Sequence, residues 1–321
     1  MKIFILDDYQ DVVKNLKCFS LLHEHDVHVL TTSYTHSDEL ATHIKDAEAL
    51  VLIRERTHID AHLLAKLPHL KLISQTGKVS NHIDISACTE RHVLVADGKG
   101  SPIAPSELCW ALIMAASRHI PEYAKQLSNG IWQSSSNLGL GRSLHGLTLG
   151  IWGYGNIGRR IAQFGKVFGM NIVVWGSESS RIKASEDGFC AAESKSAFFA
   201  SCDVLSLHLK LNDETKNCVT KADLEVMKSD SLFVNTSRAE LVESGALYEV
   251  MKQNPTKRAV LDVFEVEPAT LKNEPLLSLG NVLCTPHLGY VEQNNYEQYF
   301  KVAFENIVAY AHHKPQNLVN G

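Results

Sequence analysis

The chain has 321 residues, of which 45% are hydrophobic and 21% charged, with a formal net charge of −5. These values predict a globular protein of about two domains, since domains average roughly 150 residues. The acidic balance, without a block of Lys and Arg, argues against nucleic acid as a partner.

The seven cysteines are odd in number and widely spaced, and no Cys-x-x-Cys pair occurs. This usage is typical of reduced thiols in a cytoplasmic protein, and no metal site is expected. The first residues resemble a strand rather than a signal peptide. No apolar run approaches the roughly 20 residues that span a bilayer, so no membrane association is expected.

The first hundred residues alternate apolar runs of strand length with amphipathic stretches. Strands are predicted at Lys2–Leu6, Val27–Leu30, Ala49–Ile53, Leu70–Ser74 and Val93–Ala96. Helices are predicted between them at Asp11–Leu22, Asp38–Lys45, Asp60–Leu67 and Asp84–Glu90. This alternation predicts a mostly parallel sheet with helices on both faces.

A loop rich in Gly, Ser and Pro at residues 98–105 precedes a predicted long helix, Ser106–Arg118, and the same alternation then begins again. Further strands are predicted at Leu147–Trp152, Ile172–Trp175, Val204–Leu207, Ser231–Asn235, Ala259–Asp262 and Asn281–Cys284, with a helix at Asn156–Phe168. A final helix, Glu292–His312, could pack on either α/β unit. The sequence therefore predicts two α/β units.

A glycine-rich turn at Gly153-x-Gly155-x-x-Gly158 follows an apolar strand and opens a helix. This context is the one that the dinucleotide-binding fingerprint requires. Gly153 permits the tight turn, Gly155 lets the backbone approach a pyrophosphate, and Gly158 lets the helix pack closely. The N–H groups of Asn156 and Ile157 would face the anion.

The end of the next strand bears on the choice between NAD and NADP. Gly176 occupies the position where an Asp or Glu would hold the ribose of NAD, and Ser177 and Arg181 follow it. Hydroxyls and an arginine suit a 2′-phosphate, whereas Glu178 could instead hold an unmodified ribose. We expect NAD or NADP, with a slight preference for NADP.

Three polar segments directly follow later strands, where ligands bind in open α/β sheets. They contain Asn235-Thr236-Ser237-Arg238, Asp262-Val263-Phe264-Glu265-Val266-Glu267-Pro268, and Pro286-His287-Leu288-Gly289. One Arg, one Glu and one His so placed could bind an anion, tune a pKa and carry a proton, and the near-neutral pKa of a histidine suits the last role. We predict His287 as general acid/base, Glu267 as its carboxylate partner and Arg238 as the donor to an anionic group of the substrate.

The order and spacing of these motifs are similar to those of the D-isomer-specific 2-hydroxyacid dehydrogenase family, which includes phosphoglycerate, glycerate and D-lactate dehydrogenases. The resemblance covers nearly the whole chain. It implies two Rossmann- or flavodoxin-like doubly wound domains, with the nucleotide domain inserted in the substrate domain. The expected boundaries are 1–100 with 290–321 for the substrate domain and 101–289 for the NAD(P)-binding domain. Between the domains we expect a cleft that closes on the substrate.

The resemblance also implies further site residues. Asp262 would lie by the nicotinamide, and Thr236, Ser237 and Gly289 are assigned to the cofactor with it. The loop Gly77-Lys78-Val79 resembles the family's carboxylate-binding loop but has Val79 where glycine is common. Lys78 and Val79 are therefore predicted substrate contacts. Arg54, at the end of a predicted strand, is a second predicted contact to an anionic group of the substrate.

The predicted function is hydride transfer between NAD(P)H and a small 2-keto or 2-hydroxy acid of D configuration, by a protein expected to be a homodimer. A phosphite dehydrogenase and an NAD(H)-sensing corepressor-like binding protein of the same fold remain alternatives. A formate dehydrogenase is disfavoured, because that enzyme has Gln where Glu267 stands.

Overall fold

The first sheet is built from short parallel strands with helices between them. In the computed structural model, which describes residues 1–34 and 36–321, its elements are β1 (Lys2–Ile5), β2 (Asp26–Val29), α1 (Ser37–Ile44), β3 (Ala49–Leu52), α2 (Ala61–Leu64), β4 (Leu72–Gln75), α3 (Ile85–Glu90) and β5 (Leu94–Ala96). The strand order is β2-β1-β3-β4-β5, and every neighbouring pair is parallel. Each residue of β3 is buried, as expected for an apolar strand covered on both faces.

The second sheet has seven parallel strands. Its part of the chain contains α4 (Ile103–Ser117), α5 (Ile120–Ser128), β6 (Thr148–Trp152), α6 (Asn156–Val167), β7 (Asn171–Trp175), α7 (Glu178–Glu186), β8 (Cys190–Ala191), α8 (Lys195–Ser201), β9 (Val204–Leu207), α9 (Lys221–Val226), β10 (Leu232–Asn235), α10 (Ala246–Gln253), β11 (Arg258–Leu261) and β12 (Val282–Cys284). The order is β12-β11-β10-β9-β6-β7-β8, so the direction of winding reverses between β6 and β9. In sheets of this kind, ligands bind at the carboxyl ends of the strands beside that reversal.

The contacts within the chain divide it into two compact units, Met1–Ser101 with Glu292–Gly321, and Pro102–Val291. These bounds differ from the expected domain bounds by at most two residues. The last helix, α11 (Gln293–Ala311), belongs to the first unit and packs on β4. The predicted fold class of two doubly wound parallel α/β domains, one inserted in the other, is confirmed.

The predicted helix Asp11–Leu22 is wrong. The segment forms two 3₁₀ turns, Val13–Asn15 and Lys17–Leu22, separated by Leu16 in an extended conformation. The amides of Lys17 and Cys18 donate to the carboxylate of Glu297, at 2.9 and 2.6 Å, rather than to carbonyls of a preceding helical turn. An acceptor 280 residues away in sequence therefore replaces the local helical bonds.

Several helices of the second unit lie outside the predicted elements, namely α5, α7, α8, α9 and α10. Three of them begin after a hydroxyl residue whose side chain accepts from the backbone of the first turn, at Ser177, Ser194 and Thr220. Such caps satisfy amides that have no partner within the helix. The predicted long helix begins at Ile103 rather than Ser106 and ends at Ser117.

Candidate active site

The glycine-rich turn lies between β6 and α6, at the reversal of the second sheet. Gly153 has φ +98°, and a Cβ there would lie 2.5 Å from the carbonyl oxygen of His208. A Cβ on Gly158 would lie 2.0 Å from the carbonyl oxygen of Gly153. Around Gly155, by contrast, none of the described atoms lies within 4 Å of an added Cβ. The turn thus leaves open space at the first amides of a 12-residue helix, which fits a pyrophosphate group.

Several hydroxyl groups and one cationic side chain lie close together at the end of β7. Ser177 caps α7, and its Oγ accepts from the backbone amide of Ser180 at 3.3 Å and lies 3.0 Å from Ser179 Oγ. The guanidinium of Arg181 lies over the Trp175 ring, 5.0 Å from its centroid. Gly176 precedes this group with φ +151°, and Glu178 is exposed. These side chains can receive an anion at the amino end of α7.

The predicted catalytic residues follow three neighbouring strands. Asn235 of β10 lies opposite Leu261 of β11, and Leu261 lies opposite Cys284 of β12. The segments that carry Arg238, Glu267 and His287 therefore leave the same edge of the sheet side by side. Parallel strands produce this arrangement because all their carboxyl ends lie at one edge.

His287 and Glu267 form a hydrogen-bonded pair, with 2.7 Å between Nδ1 and Oε2. The second oxygen of Glu267 accepts from the amide of Phe264 at 3.0 Å, which fixes the carboxylate. A carboxylate at Nδ1 favours the tautomer with a proton on that atom, so Nε2 is the ring nitrogen available to exchange a proton with a ligand. His287 has φ +51°, a left-handed conformation that is uncommon for a non-glycine residue.

The turn that carries His287 is held by Asp262. This fully buried carboxylate accepts from Thr285 Oγ1 at 2.5 Å and from the amides of Leu288 and Gly289, each at 2.8 Å. Burial raises the pKa of Asp262, and the hydrogen bonds from Thr285 and Leu288 oppose that rise. Both oxygens of Asp262 thus bind the turn on either side of His287, a contact that the resemblance to the family did not imply.

Arg238 is positioned by a compact loop after β10. The buried side chain of Asn235 donates to the carbonyl of Arg238 at 2.8 Å and accepts from the amide of Ser237 at 3.1 Å. Ser237 Oγ donates to the carbonyl of Leu207 at 2.7 Å, which ties the loop to β9. Arg238 Nη1 donates to the carbonyl of Ser237 at 2.7 Å. Thr236 lies within this loop, so the predicted segment forms one hydrogen-bonded turn.

The predicted substrate contacts Arg54, Lys78 and Val79 lie at the carboxyl edge of the first sheet, each with a partner there. Arg54 Nη2 lies 3.4 Å from Glu55 Oε1. Lys78 Nζ pairs with the carboxylate of Asp97, whose Oδ1 also accepts from the Val79 amide at 2.7 Å. The amide expected to bind a substrate carboxylate therefore binds a carboxylate of the chain itself.

His208 is a residue of this edge that the sequence analysis missed. It directly follows β9, and its Nε2 lies 3.0 Å from Ser206 Oγ. Burial lowers the pKa of His208 to about 3, so the ring is neutral at physiological pH. Its position directly after an apolar strand, like that of His287, was the signal that could have found it.

Two absences apply to the described part of the chain. Residues 1–34 and 36–321 contain no helix that is both long and apolar enough to cross a bilayer. The same residues place no three His, Cys, Asp or Glu side chains where they could hold a metal ion.

Comparison with known proteins gives a consistent result. Residues 110–289 match the family model described as "D-isomer specific 2-hydroxyacid dehydrogenase, NAD binding domain". A glyoxylate reductase of Aeropyrum pernix is 34% identical, over 88% of this chain and 86% of its own length. A D-3-phosphoglycerate dehydrogenase of Methanocaldococcus jannaschii is 34% identical over 78% of this chain, which spans about half (47%) of that relative. A crystal structure titled as a phosphoglycerate oxidoreductase from Vibrio cholerae has a TM-score of 0.97 and 64% identity, covering 98% of this chain and 99% of the other.

Proposed function

The chain belongs to the D-isomer specific 2-hydroxyacid dehydrogenase family, and from this premise we propose that Arg238, Glu267 and His287 are its catalytic residues. The protein is an NAD(P)-dependent oxidoreductase that acts on the CH–OH group of 2-hydroxyacids. The observation that carries the assignment is the 2.7 Å pair between His287 and Glu267 at the carboxyl edge of the second sheet.

The three side chains have different roles in the reaction. The bound nicotinamide supplies the hydride that reduces the keto carbon. Nε2 of His287 donates a proton to the keto oxygen in reduction and removes it in oxidation. Glu267 accepts from Nδ1, which holds the ring in place and leaves Nε2 for the substrate oxygen. The forked donors of Arg238 bind the substrate carboxylate and polarise the carbonyl.

The remaining assignments are part of the same proposal. For the cofactor they are Gly153, Gly155, Asn156, Ile157, Gly158, Gly176, Ser177, Arg181, Thr236, Ser237, Asp262 and Gly289. For the substrate they are Arg54, Lys78 and Val79. The open space at Gly155 supports the cofactor assignment. Because Asp262 already accepts three hydrogen bonds from the turn of His287, its contribution includes the placement of that turn.

Replacement of the general acid/base tests the proposal. His287→Asn should bind NAD(P)H normally and lose turnover by roughly 10²–10⁴-fold. The substrates are glyoxylate, hydroxypyruvate, pyruvate, 2-ketoglutarate and phosphohydroxypyruvate, each with NADH and NADPH. The matched control is His69→Asn, since His69 is exposed and precedes the amino end of β4. Turnover of His287→Asn at the wild-type rate near pH 7 would refute the assignment.

We propose NADP as the favoured cofactor. The hydroxyls of Ser177 and Ser179 and the guanidinium of Arg181 support this choice, because together they offer donors and a positive charge to a 2′-phosphate. The ratio of kcat/KM for NADPH over NADH should exceed one, and Arg181→Ala should lower it mainly through the KM for NADPH. A ratio below one that Arg181→Ala leaves unchanged would identify NAD as the cofactor.

We also propose that the protein is a cytoplasmic homodimer. Five large apolar side chains between residues 120 and 140 are exposed, namely Ile120, Leu127, Ile131, Trp132 and Leu140, with Trp132 75% and Leu140 89% exposed. A concentration of exposed apolar area on one segment is typical of a protein–protein interface. Light scattering should give twice the monomer mass.

The proposed cytoplasmic location is supported by the seven cysteines, all of which are free thiols, as is usual in a reducing compartment. Cell fractionation tests this location.

A further inference from the structure

We propose that the Tyr154 hydroxyl and the Asp187 carboxylate join the glycine-rich turn to the end of α7, and that this contact sets the distance between two parts of the cofactor site. The inference rests on the proposed function, which assigns the pyrophosphate to the turn and the 2′-phosphate to Ser177 and Arg181 at the start of α7. Tyr154 and Asp187 are therefore positioning residues, which act through the turn and the helix rather than on the reacting atoms.

The first observation is the place of Tyr154 within the turn. It stands between Gly153 and Gly155, two residues that allow the backbone many conformations because they have no Cβ. The side chain of Tyr154 is 5% exposed and belongs to a core cluster of the second unit, where its ring lies edge-on to Phe189, with 6.2 Å between the centroids. The segment between the two glycines is thus anchored by one buried side chain.

The second observation is the hydrogen bond at the end of that side chain. Tyr154 Oη donates to Asp187 Oδ2 at 3.0 Å. Burial and the neighbouring Asp187 carboxylate raise the pKa of Tyr154 to about 12, so the hydroxyl remains protonated and a donor at physiological pH. A hydrogen bond to a charged acceptor is stronger than one between neutral groups, so this contact resists motion of the turn relative to the helix.

Asp187 contacts three elements of the second unit. It directly follows α7, and its Oδ1 lies 3.3 Å from Nζ of Lys183 in the same helix. Its Oδ2, which accepts from Tyr154, also lies 3.5 Å from Nε of Arg159 in α6. One carboxylate therefore contacts the turn, the helix that follows the turn, and the helix whose start carries the proposed 2′-phosphate site.

The start of α7 is joined to β7 through a glycine. Gly176 has φ +151°, a conformation that favours glycine, and it directly precedes the Ser177 cap. Because the backbone of an α-helix is hydrogen-bonded from turn to turn, a contact at its end also fixes the direction of its start. A dinucleotide that binds the turn and the start of α7 at once needs these two places at a fixed distance. Coupling between two binding sites typically amounts to roughly 5–150-fold in affinity.

Tyr154→Phe tests the contact, because it removes the hydroxyl and keeps the buried ring. Fluorescence titration of the full chain gives the Kd for NADH and for NADPH. Both dinucleotides bring a pyrophosphate to the turn, but NADPH also brings a 2′-phosphate to α7 and so depends more strongly on the distance between the two places. The ratio of the Kd for NADH to the Kd for NADPH should fall about fivefold, the lower end of the coupling range, because one contact is lost.

Two controls separate the positioning role from a loss of stability. Tyr296→Phe also removes the hydroxyl of a buried tyrosine, which donates a hydrogen bond of 3.1 Å within the first unit. This variant should lower the free energy of unfolding and leave the ratio unchanged. Asp187→Ala should lower the ratio about as much as Tyr154→Phe. Glu186→Ala removes the same charge from the last residue of α7 and should leave the ratio unchanged.

A double variant tests whether the two side chains act through one contact. If they do, Tyr154→Phe combined with Asp187→Ala should lower the ratio no further than either change alone. Losses that multiply in the double variant, or a ratio in Tyr154→Phe equal to that of the wild type, would overturn the inference whatever the stability of the variants. If Tyr154→Phe does not fold, Asp187→Ala tests the same contact at a side chain that is 22% exposed.

These binding measurements separate the inference from the proposed function. They need no turnover, so a chain that reduces none of the 2-keto acids would refute the catalytic assignment while the ratio still reports on the contact. A wild-type ratio below one would count against NADP as the favoured cofactor, and a fall of that ratio in Tyr154→Phe would still support the inference. A wild type that binds neither dinucleotide would overturn both.

Discussion

Replacement of Asp262 by Asn should reduce both stability and turnover, because the carboxylate accepts three hydrogen bonds from the turn of His287. Thr285 Oγ1 and the Leu288 amide donate to one oxygen, and the Gly289 amide donates to the other. An Asn side chain has one acceptor oxygen and one NH₂ group. Whichever way the amide is turned, at least one donor of the turn then faces another donor.

The magnitude follows from these contacts. A hydrogen bond to a charged group contributes about 1.5–3 kcal/mol, and a buried amide without a partner costs about 1–3 kcal/mol. Removal of the buried charge offsets part of this loss, since burial raises the pKa of Asp262 and so disfavours its ionised form. We expect a net loss of about 2–3 kcal/mol in the free energy of unfolding.

The same change should displace His287. Its left-handed backbone costs about 1–3 kcal/mol and persists only while the surrounding contacts impose it. A ring displaced by about 1 Å would lower kcat roughly 10²-fold. Urea unfolding measures the first effect and steady-state kinetics the second.

The control for this prediction is Asp203→Asn. Asp203 accepts from the amide of Thr148 at 2.8 Å and from Lys228 at 2.9 Å, at the amino edge of the same sheet. This variant should lose stability and keep its kcat. If Asp262→Asn unfolds within about 0.5 kcal/mol of the wild type and retains full turnover, the positioning role of Asp262 is wrong.

Two further predictions concern the edge beside the glycine-rich turn. Gly153→Ala should destabilise the fold by about 2–4 kcal/mol and weaken NAD(P)H binding in a fluorescence titration, because its Cβ would lie 2.5 Å from the His208 carbonyl oxygen. The control is Gly188→Ala, which has φ +83° and open space around the added Cβ, and should lose only about 1 kcal/mol. Equal losses of unfolding free energy in the two variants would contradict the steric argument. Because burial lowers the pKa of His208 to about 3, the unfolded chain takes up a proton below about pH 6.5 that the folded chain does not. The free energy of unfolding therefore falls as the pH falls, by at most about 1.4 kcal/mol per pH unit. His208→Gln should remove this pH dependence from the urea midpoint between pH 6.5 and 4.5. A urea midpoint that changes with pH in the variant as it does in the wild type would refute the prediction.

Motifs that are contiguous in sequence were predictable. The glycine-rich turn needs only the order of glycines between a strand and a helix, and all three glycines serve it in the structure. The placement of the segments that carry Arg238, Glu267 and His287 at one edge of the sheet was also predictable, because parallel strands bring their carboxyl ends to one edge. The sequence alone indicated each of these features without any knowledge of which strands are neighbours.

Contacts between distant segments were not predictable. The bond from Val79 to Asp97 spans 18 residues and depends on the register of β4 and β5. The turn at Lys17–Leu22 depends on Glu297, a residue of the last helix. Periodicity indicated a helix there because it reports which residues are apolar, not where their amides find acceptors.

The acids at the sheet edges of the two units have different partners. In the second unit, Asp262 accepts hydrogen bonds from two backbone amides and a hydroxyl group of one turn. These bonds hold the turn in shape and so fix where His287 lies. In the first unit, Asp97 and Glu55 pair with cations at the edge of the sheet, so their charges set the local potential rather than the position of a reacting atom. Substitutions at Asp262 should therefore lower kcat for every substrate alike, because they act on the turn that carries His287 and not on a contact with one particular substrate.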